Sequence, residues 1–501
     1  MTVVTRGKVR AAAAMLRPTR HIVAISAAFS LAGCAIAPNG VTGCNCVRHQ
    51  LAVPDPAPDW IPPKPRPASA SGAAGVGPGD AAEAAPKIQS DAFASDMDAA
   101  FRAHARYRLP GNSFDSMLFL SGGSQHGAFG AGFLQRWQER RGGTLPDFVV
   151  VTGVSTGSLL ATFAFVGDAD AAAAGYKIMK ETDLITPYAK PSGGKLGLSG
   201  AKALITKGAL ADLAPLERRL DKALSERILQ AVADQARRAR KLYVGVVNID
   251  TGQAEAIDLT DLAQRWAAAA PGSAARVKLK SCYIHAILAS SSAPVAAPAV
   301  FIDNRMYVDG GARFGVFSDE IGAVLNPQGL AVGLANPRIV YILMNGNQAT
   351  QVECGTMAAI CAQVGPPGWQ ENTAHAKWSF LDLALRSEDI VTNQIYRFSA
   401  DQIALRAQVN SRGYRFVKIG NDVGTFSATL DVPGLAHGTK KCAQWNDDDA
   451  VPSPPLQFHP RYMRCLIEYG RAIADSKING SVDDPEYLWD PDIHPQQDSQ
   501  P

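Results

Sequence analysis

Short apolar runs alternate with longer helix-like stretches along the middle of the chain. Five runs have the length and composition of buried strands. They are residues 117–120, 147–152, 242–249, 306–308 and 339–344. The stretches that resemble helices are residues 128–140, 156–166, 213–240 and 380–408. This alternation predicts an α/β fold, with a mainly parallel central sheet and helices on both faces. Such a fold places its active site at the carboxyl ends of the strands.

The first 33 residues are predicted to be a secretory signal. A basic stretch precedes an apolar run from Ile22 to Leu31, which is too short to cross a bilayer but suits the core of a signal peptide. The run ends in Leu31-Ala32-Gly33-Cys34, which resembles a bacterial lipobox. Cys34 is therefore the expected lipidation site and would anchor the protein in the cell envelope, with the outer membrane favoured. The alternatives are an ordinary signal peptide and a buried helix with a chance cysteine, and Met15 is an alternative start.

Proline, alanine and glycine dominate residues 53–86, and the prolines disfavour helix and favour extended chain. Those prolines are Pro54, Pro56, Pro58, Pro62, Pro63, Pro65 and Pro67. We interpret this stretch as a disordered tether between the lipidated N-terminus and a folded body that begins between Ser90 and Ser113. The predicted organisation is a signal peptide (1–33), a lipidated N-terminus with linker and approach helix (34–112), a catalytic core (113–320), the C-terminal part of the same domain (321–480) and a polar tail (481–501).

Charge and cysteines narrow the class of protein. The formal charge is +3, but residues 1–33 hold five basic side chains and no acid, so the remainder carries −2. We therefore expect no nucleic-acid partner. The spacing of the cysteines favours the disulfides Cys354–Cys361 and Cys442–Cys465, although sequence does not fix pairing. Cys44 and Cys46 lack zinc-site spacing, and no metal or cofactor is expected.

The first motif with catalytic potential is Gly153-Val154-Ser155-Thr156-Gly157, between a predicted strand and a predicted helix. In that context the pattern indicates a nucleophile elbow, a sharp turn that needs small residues on both sides of the serine. The helix N-terminus adds positive potential where negative charge forms during acyl transfer. The alternative is an ordinary turn with an N-cap serine.

Two glycine motifs accompany the serine. Residues 121–127 (Ser-Gly-Gly-Ser-Gln-His-Gly) lie between the first strand and the first helix, where exposed backbone amides could hold an oxyanion. A nucleotide-binding P-loop is excluded because no Gly-Lys-Ser/Thr follows. Asp309-Gly310-Gly311 follows the fourth strand. Taken alone, each of these motifs is more typical of a plain tight turn.

Together the three motifs resemble the patatin-like phospholipases over about residues 116–311. The order of glycine-rich loop, Gly-x-Ser-x-Gly and distant Asp-Gly-Gly is similar to that family. Residues 248–252 and 289–294 also resemble family segments. The chain departs from the family where Ser124 and His126 occupy positions usually held by a third glycine and a basic residue, and His126 is charged only in part at neutral pH.

The resemblance implies a Ser–Asp dyad acting on acyl esters. Ser155 would be the nucleophile and Asp309 the base, with the backbone of Gly122, Gly123 and Ser124 as the oxyanion hole. Gly153, Gly157, Gly310, Gly311 and His126 would support these motifs. The expected partners are a phospholipid or other acyl ester as substrate and the membrane that holds the lipid anchor.

Two other functions remain open. A Ser-His-Asp triad would recruit a downstream histidine, and the candidates are His375, His437, His459 and His494. A non-catalytic envelope lipoprotein would retain only a degenerate site. Residues 192–200 are rich in glycine and are interpreted as a flap near the site, with an ordinary surface loop as the alternative.

Overall fold

The computed structural model describes most of the region between Asn39 and Ser476. The described residues are 39–51, 93, 95–107, 115–188, 207–317, 338–346, 380–409, 413–451 and 455–476. The predicted signal segment, the proline-rich stretch, residues 192–200 and the predicted disulfide Cys354–Cys361 lie outside them. Among the described residues, no helix combines the length and apolar composition needed to cross a membrane.

A sheet of ten strands forms the centre of the molecule. Its strands are β1 (Asn39–Val41), β2 (Arg48–Gln50), β3 (Asp115–Leu120), β4 (Phe148–Val154), β7 (Lys241–Asn248), β8 (Gln253–Asp258), β9 (Val300–Ile302), β10 (Arg305–Asp309), β11 (Arg338–Met344) and β12 (Gly413–Lys418). Two smaller sheets have two strands each. One pairs β5 (Thr186–Pro187) with β6 (Ala211–Asp212), and the other pairs β13 (Ser427–Val432) with β14 (Ala436–Lys441). All five predicted strands are present in the central sheet.

Helices surround this sheet. They are α1 (95–104), α2 (Gly127–Arg140), α3 (Thr156–Val166), α4 (Ala169–Tyr176), α5 (Ala214–Ala223), α6 (Glu226–Arg237), α7 (Leu259–Ala268), α8 (Ala274–Ser290), α9 (Phe380–Val409), α10 (Cys442–Asp449) and α11 (Pro460–Ser476). The helix predicted over 213–240 is two helices. Ser225 caps the second of them by accepting a hydrogen bond from the Ile228 amide at 3.4 Å, so the chain restarts its helix there.

The sheet is mostly parallel and buries a hydrophobic cluster on each face, which confirms the predicted α/β class. Strands β12, β11, β3, β4 and β7 run parallel in that order. One cluster contains Phe133 and Trp137 of α2. The other contains Phe101 of α1 and Ala400 of α9. Strands buried on both faces account for the continuous apolar runs in the sequence.

Two strands meet end to end along one edge of β7, and this arrangement positions the site. Val154, the last residue of β4, pairs with Gly245. Asp309, the last residue of β10, pairs with the next position, Val246, from the opposite direction. Strand β8 occupies the other edge of β7 at both positions. The residues that follow β4 and end β10 are therefore brought together by the register of β7.

The N-terminal segment belongs to the sheet, so the predicted start of the folded body at residues 90–113 is wrong. Strand β1 pairs with β9, and β2 pairs with β8. A disulfide joins Cys44 to Cys282, and the Arg48 guanidinium lies 2.6 Å from the Asp303 carboxylate. The proline-rich stretch thus connects two parts of the folded body, β2 and α1, instead of separating Cys34 from it.

The cysteines are only partly as expected. The predicted disulfide Cys442–Cys465 is present, whereas Cys44–Cys282 spans 238 residues and was not predicted. Cys46 is a buried free thiol, and burial raises its pKa to about 11. Within the described ranges, no group of three or more His, Cys, Asp or Glu side chains could hold a metal ion.

Candidate active site

Ser155 lies in a sharp turn between β4 and α3. Its backbone has φ of 53° and ψ of −126°, a conformation that a non-glycine residue adopts only under strain and that is concentrated at functional sites. Ser155 occupies the N-cap position of α3, but its side chain makes no capping hydrogen bond to the helix, unlike an ordinary N-cap serine. Ser155 lines a cavity.

The glycines on both sides of Ser155 are required by close backbone contact. A Cβ atom at Gly153 would lie 2.4 Å from the carbonyl oxygen of Gly157, and one at Gly157 would lie 2.3 Å from the carbonyl oxygen of Leu120. Any larger residue at either position would push α3 away from β3 and β4. The elbow pattern therefore reflects steric limits of this turn.

Asp309 lies directly beside Ser155. The Ser155 side chain lies close enough to lower the pKa of the Asp309 carboxyl, and Asp309 Oδ1 accepts a hydrogen bond from the Gly311 amide at 2.7 Å. The Asp309 side chain is almost fully buried, with only 4% of the residue exposed. The carboxylate is thus fixed in orientation by the Gly311 backbone and lies next to the candidate nucleophile.

Burial brings the pKa of Asp309 close to neutral pH. Desolvation raises its pKa to about 7, although the neighbouring Ser155 hydroxyl and the hydrogen bond from the Gly311 amide lower it, and the negative charge of Glu388 on α9 raises it further. A general base is most effective when its pKa is close to the working pH. Asp309 can therefore both accept and return a proton at that pH.

The predicted oxyanion loop (residues 121–127) follows β3 and turns sharply at Gly123 and Ser124, whose φ angles are 141° and 51°. A Cβ atom at Gly123 would lie 2.6 Å from the Gly346 amide nitrogen, so only glycine fits there. The His126 ring is bonded through Nδ1 to the Gly123 carbonyl oxygen at 3.1 Å. His126 thus stabilises the turn through a bond within the same loop.

Asn345, directly after β11, holds the predicted oxyanion loop in place and was not singled out from the sequence. Its backbone amide donates to Ser121 Oγ at 2.8 Å, and its side-chain Nδ2 donates to the Ser121 carbonyl oxygen at 2.9 Å. Asn345 is fully buried. No local pattern marks this residue, because its partner lies 224 positions earlier in the chain.

Two serines at the end of α8 tie the catalytic candidates to the sheet. Ser290 Oγ accepts a hydrogen bond from the Ser155 amide at 3.0 Å and donates one to the Gly245 carbonyl oxygen at 2.7 Å. The Ser292 carbonyl oxygen accepts a hydrogen bond from the Asp309 amide at 2.9 Å. The segment 289–294, noted in the sequence only as a family-like stretch, therefore positions both residues.

The downstream histidines that the structure describes bond elsewhere. His437 is exposed and lies 3.1 Å from Asp431 on the neighbouring strand. The backbone amide of His459 donates to Gln125 Oε1, and its ring nitrogen Nδ1 lies 3.4 Å from the Asn446 carbonyl oxygen. His375 and His494 lie outside the described residues. Neither described downstream histidine is hydrogen-bonded to Ser155 or Asp309.

A cavity of about 790 Å³ opens at Ser155 and Asp309. Apolar side chains from α3 and α5 line much of it, among them Leu159, Phe163, Leu216 and Leu220. The cations Arg219 and Lys222 also line it. A cavity of this size and apolar character suits a ligand with a hydrocarbon chain.

Comparison with known proteins agrees with the resemblance predicted from the sequence. Residues 118–320 match the family model of the patatin-like phospholipases, a range that contains Gly122, Ser155 and Asp309. No curated protein matched the chain. The crystal structure of VipD from Legionella pneumophila is 13% identical, covers 73% of this chain and 67% of that chain, and aligns with a TM-score of 0.29. At this TM-score the structural alignment supports no conclusion about the fold. The assignment of the domain to this family therefore depends on the family-model match at residues 118–320.

Proposed function

We propose that this protein, which carries a patatin-like phospholipase domain at residues 118–320, is a serine lipid acyl hydrolase that uses a Ser155–Asp309 dyad. The observation that carries the proposal is the closeness of the two side chains: the Ser155 hydroxyl lowers the pKa of the buried Asp309 carboxyl, and Ser155 is held in a strained turn. A nucleophilic serine needs an adjacent base. A carboxylate with a pKa of about 7 provides that base without a histidine.

The reaction proceeds in two halves. The Asp309 carboxylate takes the Ser155 hydroxyl proton as Oγ attacks the ester carbonyl carbon, and the amides of Gly122 and Gly123 stabilise the resulting oxyanion. The protonated Asp309 then donates its proton to the leaving alcohol, which leaves an acyl group on Ser155. Asp309 next takes a proton from water as the water attacks the acyl-enzyme. The fatty acid departs, and the proton returns to Ser155.

The cavity supports a lipid as substrate. Its apolar lining on α3 and α5 matches an acyl chain, and Arg219 and Lys222 match the phosphate of a phospholipid. The patatin-like domain supports the same substrate class. Phospholipids are therefore the proposed substrates, and soluble acyl esters are simpler substrates for the same dyad.

Release of fatty acid from phosphatidylethanolamine vesicles by the purified protein tests this proposal. We expect release from the vesicles, and faster hydrolysis of long-chain than of short-chain p-nitrophenyl esters. Ala171 is half-buried and lines the cavity, so Ala171→Phe should lower the long-to-short ratio of kcat/KM by about tenfold. Ala443→Phe, the same change at an exposed position on α10, should leave the ratio unchanged. Absence of hydrolysis of both vesicles and esters would favour the non-catalytic alternative.

We propose further that Cys34 is lipidated and holds the enzyme at the cell envelope. The support is the order of apolar run, small residues and cysteine before residue 34, together with the sheet strand that begins at Asn39. Only residues 35–38 would separate the anchor from the folded body. Mass spectrometry of the mature protein should find an N-terminus at an acylated Cys34, and an unmodified N-terminus at another residue would contradict the proposal.

A further inference from the structure

A tyrosine from the C-terminal half of the chain reaches the centre of the candidate site. Tyr396 lies on α9, outside the residues matched by the family model. It is 5% exposed and lines the same cavity as Ser155 and Asp309. Buried tyrosines usually place their hydroxyl against a polar partner, so the position of this hydroxyl is informative.

The ring of Tyr396 is held between two glycines. A Cβ atom at Gly315 would lie 2.2 Å from ring atom Cδ1, and one at Gly346 would lie 2.4 Å from ring atom Cδ2. Neither position could carry a side chain without displacing the ring. Ser399, one turn further along α9, fixes the helix by accepting a hydrogen bond from the Gly315 amide at 3.0 Å. The ring is therefore fixed in place before any substrate arrives.

The Tyr396 hydroxyl lies between the oxyanion loop and the Asp309 turn. A Cβ atom at Gly122 would lie 2.0 Å from the hydroxyl oxygen and 2.9 Å from Ser155 Cβ, so these two atoms are at most 4.9 Å apart. A Cβ atom at Gly311 would lie 2.8 Å from the hydroxyl oxygen and 3.1 Å from Asp309 Oδ1, so those two are at most 5.9 Å apart. The hydroxyl is thus within reach of groups bonded to Ser155 Oγ.

The Tyr396 hydroxyl stays protonated at the pH where Asp309 titrates. Burial raises the pKa of Tyr396 well above its ordinary value, and the negative charges of Asp309 and Glu388 raise it further. A protonated phenol is a hydrogen-bond donor. Tyrosine hydroxyls act as oxyanion donors when they are preorganised in a site shielded from water.

We propose that Tyr396 is a further catalytic residue of the hydrolase proposed above, on which this inference rests. Its O–H donates a hydrogen bond to the carbonyl oxygen that becomes negatively charged when Ser155 attacks the ester. The Gly122 and Gly123 amides contact that oxygen from the loop, and Tyr396 contacts it from α9. The bond strengthens as charge develops, so Tyr396 stabilises the transition state more than the bound substrate.

Replacement of Tyr396 by phenylalanine tests this role, because the ring keeps its place between Gly315 and Gly346 while the donor is lost. We expect kcat for a p-nitrophenyl ester to fall by about 10²–10³, with KM and thermal stability unchanged. Phosphonylation of Ser155 by a fluorophosphonate should slow as well, since its phosphoryl oxygen occupies the oxyanion position. As a control, Tyr283→Phe removes a buried hydroxyl that bonds to Thr162 at 2.9 Å and should leave kcat unchanged.

Two results would overturn the inference. A kcat of Tyr396→Phe equal to that of the wild type would assign the hydroxyl to packing alone. A kcat of Tyr396→Ala above that of the wild type would mean that the side chain obstructs the site. Either result overturns the inference only if ester hydrolysis by the wild-type protein depends on Ser155. A wild type with no such hydrolysis would instead contradict the proposed function, and the inference with it.

Discussion

Replacement of Ser155 by alanine is expected to lower kcat for acyl-ester hydrolysis by on the order of 10⁴–10⁶. The change removes the atom that forms the acyl-enzyme, so only binding and oxyanion stabilisation remain. The variant should fold normally, because the Ser155 side chain does not cap α3. The Ser155 amide should keep its hydrogen bond to Ser290. The measurement is kcat for a p-nitrophenyl ester, with the melting temperature recorded in parallel.

A matched serine provides the control for this experiment. Ser281 lies on α8 outside the cavity, and Ser281→Ala should hydrolyse the ester at the rate of the wild type. If Ser155→Ala retained wild-type activity, another residue would carry the chemistry. If both variants lost activity together with their melting transitions, the loss would be one of folding. The dyad requires loss in the first variant alone, with both transitions intact.

Replacement of Asp309 by asparagine is expected to have the second-largest effect, a fall in kcat on the order of 10⁴. Asparagine can still accept the hydrogen bond of the Gly311 amide and contact Ser155, but it cannot take the proton. The wild-type rate should rise with pH and level off above about pH 7, where Asp309 is ionised. The residual activity of Asp309→Asn should not show this rise with pH.

The same substitution should raise the stability of the protein by an amount that depends on pH. The pKa of Asp309 is raised from 3.8 to about 7 in the folded protein, so between these values the native state holds a proton that the unfolded chain has released. Stability therefore falls as pH rises through this window. Asp309→Asn should melt higher than the wild type at pH 8 and close to it at pH 4. A lower melting temperature at pH 8 would contradict the burial argument.

Local sequence patterns predicted the parts of the molecule that depend on neighbours in the chain. The apolar runs gave the central strands, since buried parallel strands are apolar on both faces. The glycines of the elbow and the loop were identifiable because close backbone approach is a local steric requirement. The proximity of Ser155 and Asp309 was expected from the family resemblance, and the register of β7 brings the ends of β4 and β10 together.

The features that sequence reasoning missed depend on distant partners. Strands β1 and β2 have three residues each and exist because β9 and β8 offer free edges far along the chain. The disulfide Cys44–Cys282 follows from that pairing, whereas only the short-loop disulfide Cys442–Cys465 had a spacing signal. No local pattern distinguishes Tyr396 from the other residues of the long helix α9. Its proposed role depends on how α9 packs against Gly315 and Gly346.

The most direct test of the dyad is to label the protein with a fluorophosphonate and locate the adduct by mass spectrometry. We expect one adduct on Ser155 in the wild type, and labelling at least about 10³-fold slower in Asp309→Asn. An adduct on a different serine, or equal labelling rates in the two proteins, would contradict the dyad.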